Sequence, residues 1–109
     1  MRLVFHPDQK DISLAGVLYA LGDPVRLEIV KSLSEKGELS CAALDCEVPK
    51  STMSHHLRVL REAGVLYCRK EGTQHFNSLR QSDLNELFPG LLDVVLRSVG
   101  QLSCPVRLR

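Results

Sequence analysis

The chain has 109 residues, the size of one ordinary domain, and its 44% hydrophobic and 25% charged residues are those of a globular protein, not of a disordered or fibrous one. Its apolar runs, such as 91–96 with Asp93 inside it, are too short to span a bilayer, and the opening "MRLVFHPDQKD" lacks the apolar stretch of a secretory leader, so a cytoplasmic location is expected. The net charge is only +1, yet 50–80 holds Lys50, Arg58, Arg61, Arg69, Lys70 and Arg80 against Glu62 and Glu71, together with His55, His56 and His75, which points to a local face for a polyanion.

Leu14, Val17, Leu18 and Leu21 recur at helical spacing and predict an amphipathic helix over about 11–21, ended by Gly22. In "DPVRLEIVKSLSEKG", Asp23 can cap a second helix, Pro24 suits its first position, Leu27, Val30 and Leu33 form its apolar face, and Gly37 stops it. "LSCAALDC" predicts a short third helix capped by Ser40, with Ala43 and Leu44 inward, and closed by Val48 and Pro49. A fourth is expected over about 51–63 with Ser51 as cap and Gly64 as terminator. Its apolar centre is Met53, Leu57 and Leu60. His55 and Arg58 then point outward with Ser51 and Ser54, and His56 falls at the flank in a structural role. "VLYCRKEGTQHFNSLR" reads as a hairpin turning around Glu71, Gly72 and Thr73, and "SDLNELFPGLLDVVLRSV" as a helical segment split or kinked at Pro89 and Gly90.

The order is therefore α-α-α-α-β-β-α, mainly helical with a small β-hairpin: a single winged helix-turn-helix domain over 1–109, with the recognition helix at about 51–63 and the wing at about 66–79. A helix with a polar, basic outer face fits the major groove, and a basic hairpin beside it can reach phosphates. The apolar residues of about 11–21 and 83–99 exceed what one small core needs, so they are expected to join two copies, and a dimer predicts a palindromic operator.

"LGDPVRLEIVKSLSEKGELS", "STMSHHLRVLREAGVL" and "CRKEGTQHFNSLR" resemble, in order, the second-helix signature, recognition helix and wing of the ArsR/SmtB family of bacterial transcriptional repressors. The resemblance covers about 14–96. It implies a homodimer formed by the first and last helices, binding to double-stranded operator DNA, and release by an inducer. Carried over by position, it assigns DNA contact to Lys50, Ser51, Ser54 and His55, and less strictly to Arg58, Arg69, Lys70 and Gln74.

Two departures bear on sensing. "ELSCAAL" puts Ser40 and Ala42 where metal-sensing members carry paired cysteines, with Cys41 between them, and the last helix has no histidine, so neither familiar metal site is expected. No metal or cofactor is expected, and the stretch between "ELS" and "STMS" is slightly shorter than the family's. Of the four cysteines, Cys68 reads as a small buried residue; Cys41, Cys46 and Cys104 could instead make a thiol sensor of redox state or arsenite. A small metal-binding or protein-interaction module would explain the cysteines but not the basic helix. An enzyme is not expected, because there is no phosphate-cradling glycine loop, His-Glu-x-x-His run or paired acidic constellation.

Overall fold

The computed structural model describes residues 5–44 and 48–102, with side chains described as far as Val99. After a single 3-10 turn at Gln9–Asp11, the first helix, α1 (Leu14–Leu21), starts later than predicted. The reason is local: Ile12 is extended and buried, and the Ser13 hydroxyl accepts from the Gly16 amide at 3.0 Å, so Ser13 is the cap. Helix α2 (Pro24–Lys36) follows expectation. The Asp23 carboxylate accepts from the Val25 and Arg26 amides at 2.8 and 3.2 Å, and Gly37 ends the helix at a φ of 90°. Its inner face is Ile29, Val30 and Leu33, while Leu27 is half-buried.

The predicted third helix is not formed. Glu38–Ser40 is a strand, β1, and Cys41–Ala43 a single 3-10 turn, in which the Ser40 hydroxyl does cap, accepting from the Ala43 amide at 3.2 Å. Pairing decides this: β1 lies antiparallel to a strand far along the chain, Glu38 opposite Ser78 and Ser40 opposite Phe76, and the residues it uses are lost to a helix. Ala43 is exposed and only Leu44 turns inward.

Helix α3 (Lys50–Glu62) begins one residue before the expected cap. Pro49 occupies the capping position without a side-chain bond, its carbonyl accepting from the Met53 amide at 2.9 Å, and Ser51 lies exposed in the first turn. Gly64, with φ 90°, turns the chain into β2 (Leu66–Glu71), which pairs with β3 (Gln74–Leu79) around Gly72. The sheet order is β1-β3-β2, so the hairpin is extended by a third strand that local pattern did not announce. Helices α4 (Gln81–Leu87) and α5 (Leu91–Leu102) are separated at Pro89 and Gly90, where the break was expected.

Ile29, Val30 and Leu33 of α2 meet Val17, Leu60, Val65 and Leu66 in a core from which water is excluded, and α2 lies at its centre, touching α1, α3, α5 and β3. The N-terminal segment straps β2 and α4. His6 Nε2 accepts the Cys68 amide of the edge strand β2 at 2.9 Å, Arg80 donates to the Pro7 carbonyl at 2.8 Å, and Gln9 donates to Asp83 and Glu86 of α4. No helix among the described residues is long and apolar enough to cross a membrane.

Candidate nucleic-acid interface

Helix α3 buries Met53, His56, Leu57 and Leu60, spaced as one stripe of a helix. His56 is thus part of the packed face, beyond the flank expected for it. Its Nδ1 lies 3.2 Å from Arg26 Nη1, and because a guanidinium can only donate, Nδ1 accepts and the ring proton sits on Nε2. Arg26, itself 7% exposed, also donates to the Ala20 carbonyl at 2.6 Å and the Tyr19 carbonyl at 3.4 Å. Burial pushes the His56 pKa down, Asp23 opposes this, and Arg26 and His55 reinforce it. The residue is a neutral link between α1, α2 and α3.

The opposite face of α3 carries Lys50, Ser51, Ser54, His55 and Arg58, all exposed, with no carboxylate before Glu62. At the N-terminal end the hairpin tip comes across to meet it. Lys50, Ser54, Thr73, Gln74 and His75 line one groove of about 390 Å³, and Ser51, His55, Arg58 and Arg61 line a second of about 360 Å³ against Cys68, His75 and Asn77.

The two faces of the sheet differ. Leu66, Cys68 and Lys70 share a face with Leu79, Asn77 and His75, their register partners, and this face turns toward α3 and the core. Arg69 stands on the other. Its guanidinium reaches Glu38 at 3.0 Å and Glu71 at 2.8 Å and lies 4.8 Å over the Phe76 ring. Those bonds hold Arg69 protonated and the Glu38 carboxyl below its ordinary range. Of the residues singled out from sequence, Lys50, Ser54 and Gln74 are brought together, Ser51, His55 and Arg58 form the adjoining wall, and Lys70 is exposed on the α3 side. Arg69 is not brought to them. His75 and Arg61 line the grooves and were not among those candidates; strand alternation from buried Cys68 through Lys70 and its partner would have reached His75.

Cys41 is half-buried beside the sheet, its Sγ accepting from Asn77 Nδ2 at 3.5 Å, and Cys68 is buried. Burial raises the Cys68 pKa, the Cys41 thiol adds to the rise and Arg61 opposes it, so Cys68 remains a protonated packing residue. Cys46 and Cys104 lie outside the described residues. Among the described residues no group of three His, Cys, Asp or Glu side chains converges on a metal position.

Comparison with known proteins agrees with this geometry. A family model for a helix-turn-helix domain matches residues 21–69. The HTH-type transcriptional regulator MJ1325 of Methanocaldococcus jannaschii is 40% identical over 75 residues, covering 67% of this chain and 84% of its own length. The arsenical resistance operon repressor of Bacillus subtilis is 31% identical over 87 residues, covering 78% and 83%. Among solved structures, M. tuberculosis Rv0081 superposes with a TM-score of 0.61 at 29% identity over 82% of this chain and 91% of that one, and a possible transcriptional regulator for arsenical resistance with 0.58 at 27% over 84% and 85%. With its two-helix entry, exposed basic helix and hairpin wing, the chain belongs to the ArsR/SmtB family of winged helix-turn-helix transcriptional repressors.

Proposed function

We propose that the protein is a cytoplasmic, homodimeric, non-enzymatic repressor that occupies a palindromic operator with one α3 per half-site and leaves it when an inducer binds. One observation carries the DNA-binding face: Lys50, Ser51, Ser54, His55 and Arg58 are exposed on one wall of α3 without a carboxylate among them, while the opposite wall is packed. Hydroxyls, a lysine and an arginine at a helix start suit phosphates, and His55 can donate to a base acceptor in the major groove. Lys70 and Gln74 extend the surface along the hairpin. Leu14, Leu18 and Tyr19 on α1, 47%, 49% and 70% exposed, and Val94 on α5, 53% exposed, support a second copy packed against these helices.

The test is recovery of fragmented genomic DNA from the source organism by the thiol-reduced protein, followed by sequencing. A shared palindrome is the expected result, with retention reduced about tenfold or more for His55→Ala and Arg58→Ala folded like wild type. Equal retention by both variants rejects the assigned face, and no enrichment by the wild type rejects the repressor.

A second reading concerns release. Cys41 is half-buried against the groove wall below α3, so covalent change of its sulfur by an oxidant or a trivalent arsenical would be felt at the DNA face. The names of the arsenical resistance repressors it resembles favour that class of signal. Derepression by arsenite that survives Cys41→Ser would sink it.

A further inference from the structure

We infer that the groove between α3 and the inner face of the sheet holds one backbone phosphate of bound DNA, with Arg61 and His75 as its ligands. The inference rests on the DNA-binding reading above and extends it to two residues not assigned to DNA there.

Position and charge both argue for it. Ser51, Ser54, Arg58 and Arg61 follow one another at intervals of three and four, so their side chains rise along one line of α3, and His75 faces them from β3 across a groove of about 360 Å³. Every polar group on that wall can donate to an anion, and no carboxylate lines the groove. The nearest acidic hairpin residue, Glu71, is bound by Arg69 on the other face of the sheet. The floor is neutral: the Asn77 amide is committed to the Leu39 carbonyl and Cys41 Sγ, both at 3.5 Å, and burial keeps the Cys68 thiol protonated. The Arg61 fork is oriented by donation from Nε to the Phe5 carbonyl at 3.2 Å. In a duplex a single sugar-phosphate strand separates the major groove from the minor groove beside it. A protein that puts a helix in one and a hairpin at the other has that strand running between the two elements, along this groove.

The test uses the full-length protein and the operator recovered above. Arg61→Gln should weaken binding about fivefold at physiological salt and lower the slope of log K against log salt by about one, whereas Lys31→Gln, whose native partner is Glu35 on α2, should change neither. His75→Arg, at an exposed strand position, should raise that slope by about one. In a scan of the operator with single neutral methylphosphonates, one step should cost wild type about as much as Arg61→Gln does and cost the variant little more. Additive losses at every step, or unchanged slopes in both variants while the wild type still binds, would remove the phosphate from this groove and leave the repressor reading intact. Failure of the wild type to bind any operator would take both readings down together.

Discussion

His56 accepts from Arg26 only while its Nδ1 carries no proton. Protonation would set two cations against each other in a packed contact, and burial already holds the pKa below the ordinary 6.5. Between that depressed value and 6.5 the unfolded chain binds more protons than the native one, so the contribution of this group to stability is present above the window and falls as pH falls through it. His56→Gln should flatten this part of the acid loss, read as the change in urea midpoint from about pH 7.5 to about pH 5.5; an unchanged pH profile would show that the link carries no such cost. Gly64 is constrained in another way. Its φ is 90° and an added Cβ would come within 2.5 Å of Ile12 Cγ1, so Gly64→Ala should destabilise the fold by roughly 1–3 kcal/mol by equilibrium unfolding.

Among the elements, the hairpin separates two arginine-lysine roles that the sequence leaves side by side. Arg69 is neutralised by Glu38 and Glu71, and Lys70 stands on the face toward α3. Lys70→Ala should therefore lower the salt slope of operator binding by about one, and Arg69→Ala should leave it near the wild-type value; the reverse result would exchange their assignments. The alternation of strands makes the opposite faces of these neighbours legible, but the identity of the inner face depends on Leu66 and Cys68 being buried. Helix ends were readable where a single residue type dictates them, at Asp23, Gly37, Gly64 and Pro89. The start of α1 was misplaced because Ile12 leaves the helix to fill the core beside Gly64, and the third helix because β1 takes its partner from β3. Periodicity sees neighbours along the chain and cannot see those contacts. Helical spacing puts Arg61 in line with Ser54 and Arg58, and strand alternation puts His75 on the face of Cys68, but that the two stand across one groove depends on the sheet folding against α3.

In the whole molecule the core accounts for Val17, Leu21, Leu92 and Val99, and leaves Leu14, Leu18 and Tyr19 uncovered. Leu18→Glu should thus yield a folded monomer by sedimentation at micromolar concentration and, with one half-site engaged at a time, a loss of about a hundredfold or more in operator affinity. A variant that sediments like wild type would reject this face as the interface of the proposed dimer. The pairing of β1 with β3 has a different consequence. It closes residues 40–76 into a loop whose neck is the ladder Glu38–Ser78 to Ser40–Phe76, and α3 lies within that loop. Closing the loop lowers the entropy that α3 would gain by opening alone, so its buried amides should exchange with deuterium at the rate of global opening. In the inducible dimer proposed above, release would then come from levering one rigid reading head against its twin, altering a separation of about 34–36 Å, with no melting of the helix that reads.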